Sequence, residues 1–292
     1  MNQKKTVLIT GAGGQLGYEL QRTAPDNINL LVAVRDQLDI SNAASVAAYV
    51  EQYQPDTIIN AAAYTAVDKA EQEQDLAAAI NTAGARNLAQ AAADHKIKLL
   101  QVSTDFVFPG DAHSPIPPNS KCAPQGYYGQ SKLDGERAIQ EILGDEAYIV
   151  RTAWLYSAHG NNFVKTMLRL MSEREELGVI ADQIGTPTWA HGLAVSLWQA
   201  LELNAVGLHH WTDAGVASWY DFAQAIMEEG VAMGLLDKSI TLKPLTTADY
   251  PTPASRPAYS VLDKTDTWNA LSMSGEHWRV ALRKMMNELT KG

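Results

Sequence analysis

One stretch constrains this chain more than any other, a glycine-rich turn set between a short apolar run and a helical pattern. The apolar run is Thr6-Val7-Leu8-Ile9, and the turn is Thr10-Gly11-Ala12-Gly13-Gly14-Gln15-Leu16-Gly17. Backbone without Cβ lets a pyrophosphate come close, and a helix beginning there offers unpaired N–H groups and a partial positive charge. Gly11, Gly14 and Gly17 are spaced three and three, whereas the tighter dinucleotide fingerprint would need glycine at Leu16. The competing reading is a glycine-rich surface turn.

Through the first half, short β-branched runs alternate with longer helical patterns, as in a parallel sheet covered by helices on both faces. Strands are predicted at Thr6–Thr10, Asn29–Val34, Thr57–Asn60, Lys98–Ser103 and Tyr148–Thr152. Helices are predicted at Gln15–Thr23, Asn42–Gln52, Gln72–Asp94 and Tyr127–Ile142, with Ser41 placed to cap the second. The second half is a looser αβ mixture. It has predicted helices at Asn162–Arg174, Ala190–Leu203, Ser218–Met233 and Gly275–Leu289, and extended pieces near Val179, Leu208 and Leu242. Prolines at 251, 253 and 257 make Tyr250–Pro257 a loop. The expected fold is α/β: a Rossmann-type, doubly wound parallel sheet over residues 1–152, which also takes chain returns from the second half. Residues 153–292 form mainly a smaller C-terminal α/β lobe for a second ligand.

The chain's 292 residues, 46% apolar and 19% charged, suffice for a substantial core. A formal charge of −10, with no block of Lys and Arg, argues against nucleic acid as a partner. Cys122 stands alone, which excludes an intrachain disulfide framework and suits the cytoplasm. The run after Lys4 and Lys5 ends at Gly11, too soon for a signal peptide, and no apolar stretch is long enough to span a membrane. His113, His209 and His210 form no metal motif.

Tyr128 and Lys132, in Tyr-Gly-Gln-Ser-Lys, fall about one turn apart on one face of the fourth helix, roughly 6 Å between side-chain bases. A cation at that distance is worth about 2 to 3 kcal/mol at an effective dielectric of ~20, which would bring a phenol from ~10 towards ~8. That suits proton donation to a ketone. The bland reading is a solvated helix face. After the second strand, Arg35 can pair with a 2′-phosphate, which favours NADPH, while Asp36 keeps NADH open. Asp39, beside Ile40, either accepts from an adenine amino group or serves a turn. Ala61, Ala62 and Ala63 allow a ribose and nicotinamide to lie on the backbone, or merely start a helix. Ser103-Thr104-Asp105 ends the fourth strand at the sheet edge where such folds bind ligands, so one of its hydroxyls can reach a carbonyl.

This order of motifs resembles the extended, nucleotide-sugar branch of the short-chain dehydrogenase/reductases, and within it the dTDP-4-dehydrorhamnose reductase family. The likeness rests on the glycine turn, Asn60-Ala-Ala-Ala-Tyr-Thr-Ala-Val-Asp-Lys-Ala-Glu71, Ser103-Thr-Asp-Phe-Val-Phe108 and Arg151-Thr-Ala-Trp154. It continues in Gly160-Asn-Asn-Phe-Val164, Asp182-Gln-Ile-Gly-Thr-Pro-Thr188 and Ala254-Ser-Arg-Pro257. The resemblance implies reduction of dTDP-4-dehydro-6-deoxy-L-mannose at C4 to dTDP-L-rhamnose. Tyr128 would donate the proton, Lys132 would hold the nicotinamide ribose and Thr104 would orient the ketone. It also implies Gly11, Gly14, Gln15 and Leu16 at the cofactor, and Val67, Asp105 and Trp154 near the sugar, although a core tryptophan competes. Asn162 and Arg256 are candidates for the diphosphate and nucleotide end, against a helix cap and a loop charge.

Some members of the family are magnesium-dependent dimers with glutamates of the first and last helices near the metal. Glu19 and Glu288 match, but His191 stands where another glutamate is expected, so weak or absent metal dependence is expected and a homodimer stays open. Two alternatives remain: a noncatalytic nucleotide-binding regulatory subunit, and another nucleotide-sugar epimerase or dehydratase. A dehydratase normally has a carboxylate pair beside the catalytic hydroxyl, whereas Asp105 is followed by Phe106.

Overall fold

Strands buried on both faces must be covered on both sides, and here the Val/Ile/Leu-rich runs form one six-stranded parallel sheet. The computed structural model describes residues 4–291. The strands are β1 (Lys5–Thr10), β2 (Ile28–Ala33), β3 (Thr57–Asn60), β4 (Lys98–Thr104), β5 (Tyr148–Thr152) and β6 (Gly207–His210). They lie in the order β6-β5-β4-β3-β1-β2. The order reverses at β1, which pairs with β2 on one side and β3 on the other, so a crevice opens at the carboxyl ends of β1 and β3.

Two apolar clusters flank the sheet. On one side α1 (Gln15–Arg22) and α6 (Ala190–Glu202) bury Leu16, Leu20, Leu193, Leu197 and Trp198. On the other, α2 (Ala43–Tyr53), α3 (Gly84–His95) and α4 (Tyr127–Leu143) bury Val46, Val50, Leu88, Ala92 and Ile139. The second half thus returns β6 and α6 to the first domain. Its own core gathers Tyr156, Phe222, Trp278 and Met285 around α5 (Phe163–Glu173), α7 (Trp219–Ala232) and α9 (Trp278–Leu289). A parallel pair, Glu176–Ile180 with Thr241–Leu245, flanks that core.

Several elements differ from the sequence expectation for identifiable reasons. The helix expected over 72–94 is broken into Gln74–Ala78, a π turn at Ala79–Ala83, and α3. The π turn directs the Asn81 side chain inward, where it accepts from the Tyr64 N–H at 2.9 Å and donates to the Tyr64 carbonyl at 3.1 Å and Ser131 Oγ at 3.0 Å. Asn42 rather than Ser41 caps α2, accepting from Ser45 N at 3.1 Å, because Ser41 is held by Asp39. The last helix starts at Trp278, not Gly275, since the preceding residues run extended beside Ala214 and the Trp278 N–H donates to the Ala214 carbonyl. A helix over Thr265–Leu271, α8, was not expected.

His210 of β6 is fully buried against Phe108, with only a backbone partner at Nδ1. Burial, reinforced by nearby Arg151, pushes its pKa down to about 3. The folded chain therefore binds fewer protons there than the unfolded chain between about pH 3 and the ordinary histidine value of ~6.5, and stability falls as pH drops through that window. From pH 7 to pH 5 this residue should cost about 2 kcal/mol. Asp105 and Asp213, raised by burial to about 6 and about 7, act in the opposite sense. On going from pH 7 to pH 5, the unfolding free energy measured in urea should change about 2 kcal/mol more favourably in His210→Gln than in the parent, and the same change in both would remove His210 from the account.

Candidate active site

At the end of β1 the chain turns through Gly11 with φ +68°, and a Cβ there would lie 2.6 Å from the Ala62 nitrogen just after β3. Only glycine permits that approach of the two strand ends. Three buried side chains fix it from below: Thr10 Oγ1 donates to Asn60 Oδ1 at 2.6 Å, and Asn60 Nδ2 donates to Gln101 Oε1 at 2.7 Å. Asn60 Oδ1 also accepts from Ala62 N at 3.1 Å, which shapes the Ala61-Ala62-Ala63 turn. Gly14 caps α1 without a side chain, so the first N–H groups of the helix face the crevice. These features fit a dinucleotide diphosphate.

The crevice continues into a cleft of about 520 Å³. One wall is Gly14, Gln15 and Leu16 with Ala61, Ala62 and Ala63; the floor is Thr104, Asp105, Tyr128 and Lys132. Val67, Trp154, Asn162 and Arg256 line it as well. Gly11 is placed behind the wall. Arg35, Asp39 and Ile40 lie outside it: Arg35 is exposed beyond β2, and Ile40 is buried in the core. Asp39 takes the turn role, accepting from the Ser41 N–H and hydroxyl at 3.0 and 2.7 Å.

Helix α4 begins at Tyr127, where Glu71 accepts the backbone N–H at 2.7 Å, and presents Tyr128 and Lys132 to the end of β4. The Tyr128 phenol faces Thr104, whose hydroxyl donates to Asp105 Oδ1 at 3.1 Å. Burial pushes the phenol up to about 12; the nearby Thr104 hydroxyl pulls it back and the Asp105 charge adds to the rise. The expected depression by Lys132 is not found. Its Nζ instead donates to the Val102 carbonyl at 2.7 Å, and burial brings the ammonium itself down to about 8. Asp105 is raised to about 6 by burial despite the bond from Thr104 and the nearby Ser260 hydroxyl, and its Oδ2 has no partner.

A family model described as RmlD substrate binding domain matches residues 5–291. The chain belongs to this family. It is 43% identical to the dTDP-4-dehydrorhamnose reductase of Aggregatibacter actinomycetemcomitans, over 96% of this chain and 97% of that protein. It is 40% identical to the Escherichia coli K12 enzyme of the same name, over 97% of each. A crystal structure of dTDP-4-dehydrorhamnose reductase from Bacillus anthracis in complex with NADP superposes with a TM-score of 0.92, at 38% identity, covering 98% of this chain and 99% of that one.

In this RmlD-family chain, two residues lining the cleft are engaged by the protein itself. Asn162 caps α5 by accepting from Lys165 N at 3.1 Å while its amide donates to Gln15 Oε1 at 3.0 Å, tying the second lobe to the glycine turn. Arg256 is not a free fork: it pairs with both Asp68 oxygens, at 2.7 and 3.1 Å, and so anchors the proline-rich loop beside Val67. Trp219, Phe163 and Thr65 also line the cleft, and sequence reasoning missed them. Trp219 opens α7, far along the chain, and only its packing on Trp154 brings it in. The two indoles stack with centroids 3.6 Å apart and planes 7° apart.

Trp154 holds that position at φ +50°, a strained conformation for a bulky residue. Gly185 backs its other face; a Cβ there would lie 2.6 Å from Trp154 Cε2. Gly185→Ala should therefore displace the ring, abolish the paired-indole couplet in the circular dichroism spectrum, and lower stability by about 1 to 3 kcal/mol, the scale of overpacking. An unchanged couplet would mean the stack does not depend on that glycine.

Proposed function

We propose that this cleft reduces the C4 ketone of dTDP-4-dehydro-6-deoxy-L-mannose to dTDP-L-rhamnose, with NADPH as reductant. The observation that carries the reading is the meeting of Tyr128, Thr104 and Lys132 on one floor, beneath the glycine turn and the alanine wall. Relatives across nearly the whole length are dTDP-4-dehydrorhamnose reductases, and the Bacillus anthracis neighbour holds NADP. The nicotinamide cofactor, when bound, supplies the hydride.

The chain's own groups do the rest. Gly14, Gln15 and Leu16 receive the diphosphate on backbone N–H groups, and Arg35, exposed just beyond β2, meets the 2′-phosphate. Thr104 orients the ketone oxygen towards Tyr128. With its pKa raised to about 12, the phenol keeps its proton at neutral pH until negative charge develops on that oxygen, and then transfers it. Lys132, its ammonium anchored on the Val102 carbonyl, is placed to hold the nicotinamide ribose. Trp154, held between Trp219 and Gly185, presents its ring edge to the deoxysugar, Val67 and Asp105 contact it, and Asn162 with the loop held by Arg256 closes the nucleotide end. A reducing cytoplasm suits the free Cys122, and no helix among the described residues is long and apolar enough to cross a membrane.

Oxidation of NADPH with the dTDP-linked 4-keto sugar should be followed by absorbance. Tyr128→Phe should lower turnover about a hundredfold or more, the scale of a lost general acid, with little change in cofactor affinity. Turnover equal to the parent's would dismiss Tyr128 as the donor.

The pH profile tests Lys132 separately. Burial makes it release its proton at about 8 rather than near the ordinary lysine value of ~10.4, so kcat/KM should decline as pH rises through about 8. A profile flat to well above that value would exclude the cation's role.

A further inference from the structure

Five side chains from four parts of the fold converge beside α1. Glu19 is completely buried, with Oε1 accepting from the Ser157 hydroxyl at 2.7 Å. Its other oxygen, Oε2, lies 3.0 Å from Arg22 Nε and 3.5 Å from His191 Nδ1 at the start of α6; the angles make these ion-pair contacts rather than hydrogen bonds. Arg22 then spans to α9, where its two terminal nitrogens each meet one oxygen of Glu288 at 2.8 Å. Arg22 Nη2 also lies 3.3 Å from His191 Nδ1.

The divalent cation that the family resemblance implies between the first and last helices does not fit this arrangement. Magnesium asks for six oxygen ligands in near-octahedral geometry, and imidazole and guanidinium supply none. Glu288 has both oxygens engaged by Arg22, Glu19 has one engaged by Ser157, and the remaining Glu19 oxygen faces a permanent cation that cannot be deprotonated. A metal would have to displace the guanidinium or sit against it. Among the described residues, no group of three or more His, Cys, Asp or Glu side chains is arranged to hold a metal ion.

We infer that Arg22 is a built-in substitute for that cation: it joins α1 to α9 through Glu19 and Glu288, and the protein needs no divalent metal for its fold or its turnover. The geometry is that of a charge clamp. A planar fork binds one carboxylate in two-point fashion while its Nε neutralises a second, buried one.

The test uses the whole protein after exhaustive dialysis against EDTA. Melting temperature should be the same with and without millimolar Mg2+, and Mn2+ added as a spin probe should remain free by electron paramagnetic resonance. Reduction of the keto sugar should continue at the undialysed rate. Bound Mn2+ at one equivalent, or a melting temperature that chelation lowers and Mg2+ restores, would overturn the inference; neither readout depends on the sugar assignment. Arg22→Ala should uncover the carboxylates, lower the melting temperature, and gain a Mn2+-dependent rise that the parent lacks. Arg22→Gln, which keeps much of the side-chain volume, serves if the alanine variant does not fold. Failure of the folded variant to take up Mn2+ more tightly than the parent would mean that Arg22 is not what keeps metal out, and would equally overturn it.

Discussion

The approach of two strand ends governs this molecule. Where β1 and β3 finish side by side, Gly11 lies against the backbone of Ala61 and Ala62 more closely than any side chain permits. The buried Thr10, Asn60 and Gln101 chain holds the strands in that relation, and each of its polar groups is costly to bury unpaired. Everything downstream follows: α1 leaves in one direction, the alanine turn in another, and the space between them is the crevice.

Electrostatics in the cleft are set by burial before they are set by neighbours. Tyr128, Lys132 and Asp105 all shift chiefly towards their neutral forms, as groups removed from water do. Sequence spacing alone assigned the phenol a nearby cation and therefore a lowered pKa, but it could not register that Lys132 spends its ammonium on the Val102 carbonyl. Desolvation outweighs the expected pairing. A phenol raised in this way keeps its proton at neutral pH, as the proposed role of Tyr128 requires.

The parallel sheet, the glycine turn and the pairing of Tyr128 with Lys132 were legible because each depends on local pattern: strand runs, a turn between strand and helix, a spacing of four. The family motifs extended that to Trp154, Asn162 and Arg256, all of which reach the cleft. What escaped was whatever depends on distant packing. The π turn at Ala79–Ala83 has no signature, since the alanine-rich run reads as plain helix and only the inward pull on Asn81 breaks it. Trp219 reads as a helix start, and its place over Trp154 is a tertiary fact. Arg256 reads as a free charge because nothing local reveals that Asp68, so far back in the chain, already holds it.

Asn81 carries one more consequence. Its single amide grips the Tyr64 peptide on both sides and also the Ser131 hydroxyl, which in turn donates to the Tyr128 carbonyl. The segment after Ala63 and the helix bearing Tyr128 are thereby riveted through one side chain. A shift of either one must carry the other with it, so Asn81 sets how the alanine turn and α4 stand relative to each other.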